Sequence, residues 1–312
     1  MIHKPDRREF LKGGLVTTAA ALVGGSVGIL SRGNAYAAQF PDVVVCHGQS
    51  PATITRAAVD ALGGMKRFVK KGSKVVIKPN MSFARAPGTG SNTNPAVVAE
   101  VARMCVEAGA SRIAVLDNVL QDPHDSLSLS QIPAYCRDIP KTMVSNVQAR
   151  RFFHQVPVRD GFQVKNMEVI GEVADADVLI AVPVGKTHAS AGVSLSMKGM
   201  MGLIYDRSPF HRRYNLHEAI VDMSMVLKPQ LVVVDGTRIL STGGPGGPGK
   251  VIPLNLVIAS SDMVAADAQM VSLGTWYGRK FKPTQVKHIR IAAQRGLGRA
   301  DVENLNVTTL SA

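Results

Sequence analysis

The chain is poor in cysteine, tryptophan and aromatics for its length, with three Cys, one Trp and 5% Phe, Trp and Tyr among 312 residues. Cys46, Cys105 and Cys136 are odd in number, far apart and include no C-x-x-C pair, so they do not supply the thiolates of an iron–sulfur cluster or a structural zinc. Cys105, in an apolar helical stretch, reads as a core residue. Scarce aromatics also remove the stacking platforms that single-stranded nucleic acid needs. Charged residues make up 19% of the chain and hydrophobic ones 46%, which excludes a wholly disordered chain, a disulfide-rich miniprotein and a coiled coil. Familiar catalytic motifs are missing too, with no H-E-x-x-H, no G-x-S-x-G and no G-x-G-x-x-G after a strand. Gly244 to Lys250 has the spacing G-x-x-x-x-G-K, but Val251 stands where a magnesium-binding Ser or Thr belongs and Pro253 opposes a following helix, so it is not a P-loop.

What is present begins with charge. Lys and Arg number 36 against 23 Asp and Glu, a formal +13. Part of it belongs to an export address. Asp6-Arg7-Arg8-Glu9-Phe10-Leu11-Lys12 precedes an apolar stretch from Gly13 to Leu30 and then Ala35-Tyr36-Ala37. Paired arginines, a glycine-diluted apolar segment and an A-x-A site resemble a bacterial twin-arginine signal, which implies export by the twin-arginine translocation machinery to the periplasm. Five glycines within that stretch make a weak membrane span, so cleavage after Ala37 is expected rather than anchoring. Residues 1–37 carry five basic and two acidic residues, leaving +10 for a mature domain of residues 38–312. No later segment reads as a stable membrane span. The remaining charge is dispersed in pairs such as Lys66-Arg67, Lys70-Lys71, Arg150-Arg151, Arg212-Arg213 and Arg279-Lys280, not in a nucleic-acid-binding stripe.

Five β-branched runs punctuate the mature chain: Val75–Ile77, Ile113–Leu116, Val178–Val182, Leu231–Val234 and Leu256–Ala259. They are continuous rather than alternating, as strands buried on both faces are. Helical patterns lie between them, from Pro95 to Ala108 with a stop at Gly109, and from Leu216 to Leu227 before Pro229. The alternation predicts an α/β fold with a mainly parallel β-sheet flanked by helices. Residues 117–175, with prolines at 123, 133, 140 and 157, read as an irregular insertion or small subdomain. Gly243 to Lys250 is the strongest loop signal.

In open parallel sheets ligands bind beyond the carboxyl ends of the strands. Those ends carry Lys78-Pro79-Asn80, Asp117-Asn118, Lys186-Thr187-His188, Asp235-Gly236-Thr237 and Ser260-Ser261-Asp262. Polar loops explain some of these residues; lysines and a histidine converging on one edge point to a site. In a helix read from about Ser194, Met197, Met200, Met201 and Ile204 form a core face, while Ser194, Lys198 and Gly202 form another stripe with a lysine between small residues. Such a lysine could hold a phosphate or carboxylate or be a covalent attachment point; the plainer alternative is a solvated lysine. His211 and His217 follow among Arg207, Arg212 and Arg213.

Val75 to Asn80, Ala174 to Ile180 leading to Lys186-Thr187-His188, Ser196-Met197-Lys198-Gly199-Met200-Met201-Gly202, Val234-Asp235-Gly236, Gly243-Gly244-Pro245 and Ser261 to Asp267 together resemble the domain of unknown function family 362, over roughly residues 43–307. The resemblance implies a fold and a site position rather than a reaction. Some members carry a ferredoxin-like module that three cysteines cannot supply. Gly199 stands where that family's pattern leads one to expect Asn after the motif lysine. A more remote likeness, in the order His188, Lys198 and a later histidine, is to nickel-pincer lactate racemases, and it implies a cofactor-bearing lysine.

The resulting expectation is an exported enzyme that binds a small anionic substrate or a cofactor inserted before export. His188, Lys198 and Asp235 are the catalytic candidates. Lys78, Asn80, Lys186, Thr187 and Asp262 are the cofactor- or anion-binding candidates. A divalent metal is assigned to His188, His211 and His217. The alternative is a non-catalytic periplasmic ligand-binding or cofactor-maturation factor that uses the same basic pocket.

Overall fold

A computed structural model describes residues 40–312, so the twin-arginine segment lies outside the described residues. Twelve strands are present among them: β1 (Val43–His47), β2 (Lys74–Pro79), β3 (Arg112–Asp117), β4 (Thr142–Asn146), β5 (Phe153–Pro157), β6 (Asn166–Ile170), β7 (Val178–Val182), β8 (Val184–His188), β9 (Gly192–Ser194), β10 (Leu231–Leu240), β11 (Val251–Ser260) and β12 (Val307–Ser311). The helices are α1 (Pro51–Ala61), α2 (Pro95–Glu107), α3 (Pro123–Ser130), α4 (Ile132–Cys136), α5 (Gly171–Ala174), α6 (Ser196–Gly199), α7 (Ser208–Arg212), α8 (Leu216–Val226), α9 (Met263–Leu273) and α10 (Lys287–Gln294).

The main sheet has the order β12-β1-β11-β10-β7-β2-β3-β4, with β8 pairing to β10 and β9 to β8. Strands β10, β7, β2, β3 and β4 are mutually parallel. Strand β11 is antiparallel to both of its neighbours. The fold is therefore α/β with a mostly parallel sheet, and all five apolar runs sit in it. Their continuity has a direct cause, since alternate residues feed two different cores. Val76, Ala114, Leu179, Val232 and Ile258 join one apolar layer with residues of α8, α9 and α10; Val75, Ile113, Ile180, Val233 and Val257 join the other with α1, α2 and α4. A strand buried on both faces has no polar face to alternate with. The three cysteines, all free, are buried in the second layer.

Helix α2 shows how local chemistry sets its ends. Asn94 caps it by accepting from the Ala96 N–H at 3.0 Å, Pro95 occupies the first helical position, and the chain leaves it through Gly109 at φ 94°. Only glycine takes that left-handed turn without strain.

Residues 117–175 are more regular than their sequence suggests. They contain α3, α4 and β4, the last an edge strand of the main sheet, and β5–β6, a separate two-stranded sheet. Strand β4 is half-exposed and α3 and α4 are short, so neither carries a long apolar period. The segment is anchored by the buried Asp222 of α8, whose carboxylate accepts from the N–H groups of Phe162 (3.0 Å), Gln163 (2.6 Å) and Val164 (2.9 Å) and from Arg295 Nη1 (2.6 Å). Burial pushes this carboxyl up, but the Arg295 guanidinium and the three amides outweigh it and hold it below the usual range.

Asp222→Ala should strand those three amides and the Arg295 charge, costing about 3 kcal/mol and lowering the melting temperature by roughly 10 °C. Calorimetry of the variant checks this, and an unchanged melting temperature would remove Asp222 from the anchoring role.

Candidate functional site

A pocket of about 130 Å³ opens at the carboxyl ends of the parallel strands, lined by Lys78, Asn80, Ser82, Phe83, Asp117, Leu120, Lys186, His188, Ser194, Lys198, Gly199, Met201, Gly202, Arg207, His211 and Pro245. Strand β2 delivers Lys78, and the turn after it delivers Asn80 and Ser82. Asp117 closes β3. Strand β8 delivers Lys186 and His188, two residues apart and so on one face, while Thr187 between them points away and accepts from the Gly244 N–H at 3.0 Å. That bond ties the glycine- and proline-rich loop to β8, and the loop contributes Pro245 to the wall.

Residues 196–203 are a single turn of α-helix, α6, followed by a 3-10 turn over Met200–Leu203. Met197, Met200, Met201 and Ile204 pack into the core, and Ser194, Lys198 and Gly202 face the pocket. The first turn is capped from α9. Asp267 accepts from the Ser196 N–H (2.8 Å), Ser196 Oγ (2.6 Å) and the Met197 N–H (3.0 Å), and burial pushes its carboxyl up to about 7. Asn118 pins the other end, its N–H donating to the Gly202 carbonyl at 2.7 Å and its Nδ2 to the Ile204 carbonyl at 3.0 Å.

The electrostatics are one-sided. Lys78, Lys186 and Lys198 are 3%, 2% and 8% exposed, and Arg207 joins them with a hydrogen bond to the Asn118 carbonyl. Among the described residues one carboxylate, Asp117, lines the same space. Its Oδ1 lies 3.3 Å from Lys78 Nζ, and its Oδ2 accepts from Ser82 Oγ at 2.8 Å and the Met81 N–H at 3.2 Å. Lys186 Nζ donates to the Ser91 carbonyl at 2.6 Å and sits 4.9 Å above the Phe83 ring. Lys198 Nζ has a thioether partner, Met201 Sδ, at 3.1 Å. Burial brings both Lys186 and Lys198 down to about 7; repulsion from Lys78, and after it from Lys198 and Arg238, adds to the effect on Lys186, and repulsion from Arg207 to that on Lys198. Burial also lowers Lys78, against the pull of Asp117. His188 falls to about 3 through burial and the nearby Lys198, and His211 shifts the same way.

The backbone makes room for this crowding at Gly202, where a Cβ would collide with Asp117 Oδ1 and Lys78 Cε. At Gly199 a Cβ would fit, in ordinary contact 3.7 Å from Asn80 Nδ2. Asn80 Oδ1 accepts from the Val184 N–H at 3.0 Å.

Of the residues singled out in the sequence, Lys78, Asn80, Lys186, His188, Lys198 and His211 line the pocket, and Asp235, Thr187, Asp262 and His217 do not. Strand β10 continues to Leu240, so Asp235 is mid-strand instead of terminal. Its carboxylate is engaged by the Asn94 N–H (2.7 Å), the Thr237 N–H (3.0 Å), Thr237 Oγ1 (2.6 Å) and Arg238. Asp262 follows the antiparallel β11, whose carboxyl end pairs Ser260 with Val232 near the start of β10 and so lies at the opposite edge of the sheet. There Asp262 caps α9 through the Val264 and Ala265 N–H groups at 2.8 and 3.1 Å.

The three histidines divide between two places. His188 and His211 have nearly parallel rings with centroids 5.9 Å apart, whereas His217 stands 6.0 Å from His288. Among the described residues, the one grouping of three metal-ligating side chains is the exposed Asp122, His124 and Asp125, outside the pocket lining. A lone arginine in Tyr205-Asp206-Arg207 carries no sequence pattern that marks Arg207 for the pocket. Asp267 lay within the quoted Ser261–Asp267 motif, and its spacing does not reveal that it caps a helix 70 residues away.

Fold and site define an α/β protein with a cation-lined pocket at the carboxyl edge of its parallel strands. Residues 75–272 match the family described as domain of unknown function (DUF362), and the chain belongs to that family. Residues 4–24 match the TAT (twin-arginine translocation) pathway signal sequence, which directs export through that machinery. Among the described residues no helix is long and apolar enough to cross a membrane. The chain is 27% identical over 221 residues, 68% of its length, to the thylakoid-associated protein sll1697 of Synechocystis sp., and it spans 66% of that relative, just under two thirds. Among solved structures it is similar to the lactate racemase apoprotein from Thermoanaerobacterium thermosaccharolyticum (TM-score 0.47, 13% identity, 74% of this chain and 57% of that one). It is also similar to a protein from Thermotoga maritima (TM-score 0.43, 16% identity, 68% of this chain and 56% of that one).

The lysine shifts set a pH dependence. The unfolded chain holds these protons up to the ordinary lysine value of 10.5, and the folded protein releases them near 7. Between those values the unfolded state binds more protons, so stability rises with pH. Urea unfolding from pH 7 to 9 should show a steeper rise for the wild type than for the Lys186→Met, Lys198→Met double variant; equal slopes would contradict the shifts. Gly202→Ala should separate Lys78 from Asp117 and, by crystallography, displace one of them from the pocket wall.

Proposed function

We propose that this pocket binds a small anion, a carboxylate or a phosphate, and that the protein is an exported enzyme acting on it. The observation that supports this most is the charge count: Lys78, Lys186, Lys198 and Arg207 share a small buried space with one carboxylate, Asp117. Charges held out of water need a partner, and an entering anion supplies it while raising the lysine pKa values back toward the charged form. The same excess of positive charge favours an anion over a divalent cation between His188 and His211.

In this reading Lys78, Lys186 and Arg207 hold the anion and Asn80 orients it. A proton-transfer group works best with a pKa near the working pH. Lys186 and Lys198, both at about 7, meet that condition before any ligand enters, and of the two Lys198 is the one whose nitrogen has a thioether instead of an oxygen acceptor. His188, at about 3 in the free protein, takes the role only after a bound anion has raised it. Asp267 and Asn118 act as positioning residues, fixing the two ends of the segment that carries Lys198. Turnover separates this reading from a pure binding protein, because a binding factor needs the lysines but no group poised to transfer a proton.

Isothermal titration of the purified exported protein with phosphate and with oxalate should give one site per chain whose affinity falls between pH 6 and pH 8.5 as Lys186 and Lys198 lose their protons. Lys186→Ala and Arg207→Ala should each weaken binding about 10-fold or more, the size of one charge-assisted hydrogen bond. Undiminished affinity in both folded variants would refute the assignment.

A further inference from the structure

Lys198 differs from the other cations of the pocket in what its nitrogen touches. Lys78 Nζ has the Asp117 carboxylate and the Pro79 carbonyl, and Lys186 Nζ has the Ser91 carbonyl and the Phe83 ring face. Arg207 has the Asn118 carbonyl. Each of these cations is held by an oxygen acceptor. Among the described residues, Lys198 Nζ has only the Met201 thioether at 3.1 Å, a weak acceptor. An ammonium carries three donors and gains little from such a partner, whereas a neutral amine tolerates it and keeps a free lone pair. The amine is buried, its helical turn is clamped by Asp267 and Asn118, and Gly199 and Gly202 of the same segment add no side chain of their own to the pocket wall, the space at 202 being filled by Lys78 and Asp117.

From this contrast we propose that Lys198 is a nucleophile that forms an imine with a short-chain 2-oxo acid, whose carboxylate is held by the neighbouring Lys78, Lys186 and Arg207. The proposal rests on the anion-pocket reading and names the substrate class within it. The Nζ lone pair attacks the keto carbon to give a carbinolamine. The keto oxygen then leaves with two protons from the amine as one water, and a C=N bond replaces C=O. No oxidant, reductant or further reactant enters. His188 and His211 line the same pocket, and in this proposal they pass the protons during dehydration. A cavity of about 130 Å³ suits a 2-oxo acid of a few carbons, well below the several hundred Å³ that drug-sized ligands occupy. Burial and the nearby Arg207 pull the Lys198 pKa to about 7, which supplies neutral amine at physiological pH.

The test is reductive trapping. The purified exported protein is incubated with pyruvate and sodium borohydride, then analysed by intact mass and peptide mapping, with pyruvate binding followed separately by calorimetry. One carboxyethyl group per chain, on the peptide carrying Lys198, is expected. It should be blocked by excess phosphate and should disappear in Lys198→Arg, which keeps the charge but not the nucleophile. Trapping spread over surface lysines, or trapping on Lys186, overturns the assignment of Lys198. Pyruvate that binds without being trapped overturns imine formation and leaves the anion pocket standing. Phosphate binding without pyruvate binding overturns the 2-oxo acid class. Failure of both ligands to bind removes the pocket reading itself.

Discussion

Positive charge packed out of water at the end of a parallel sheet is the constraint on which the rest of this structure turns. Lys78, Lys186, Lys198 and Arg207 enclose one small space, and Asp117 is the carboxylate that answers them. Burying an unpaired charge is costly enough that lysines prefer to give up protons, and those at 186 and 198 do so near neutrality. Holding these cations out of water is thus a cost to folding that packing around the sheet offsets. That packing forms two cores, one on each face of the sheet, and both take residues of β2, the strand that delivers Lys78.

Carboxylates away from the pocket, buried at Asp235, Asp267 and Asp222 and half-buried at Asp262, do a different job from Asp117. Asp235 gathers Arg238, Thr237 and the start of α2; Asp267 caps the turn that carries Lys198; Asp222 ties residues 162–164 to α8; Asp262 caps α9. Each is saturated with donors, which is why none is free to serve chemistry. Their arrangement leaves the pocket short of negative charge, so the structural carboxylates and the cationic site are two sides of one distribution.

A second pair of histidines shows how chemistry-bearing residues disperse on folding. His288 is fully buried, with neither ring nitrogen hydrogen-bonded, and it stacks on His217 of α8 rather than on the pocket pair His188 and His211. Burial drives it down to about 3, so it is a neutral packing group at physiological pH. Spacing along the chain placed His211 and His217 together; the turn between α7 and α8 sends them to different sides of the same region.

The strand runs were legible because a strand buried on both faces has a local signature, an unbroken β-branched stretch, and five such runs alternating with helices leave few alternatives to an α/β sheet. Lys78, Asn80, Lys186 and His188 could be listed for the same reason, since each follows or ends such a run. Residues 117–175 were harder, because short half-exposed elements lack the period that announces them. Other matters were out of reach of local pattern. The direction of β11 is set by its pairing with β1 and β10, contacts that span more than 200 residues in the first case, and that direction sends Asp262 to the far edge of the sheet. The length of β10 depends on β8 and β11 lying beside its second half, which makes Asp235 an interior residue. By itself, the sequence determined the export address, the layered α/β class and the presence of lysines at strand ends. Tertiary structure alone decided which charges meet, because desolvation and Coulomb attraction act through space and the sheet order is what brings the ends of β2, β3 and β8 to one place.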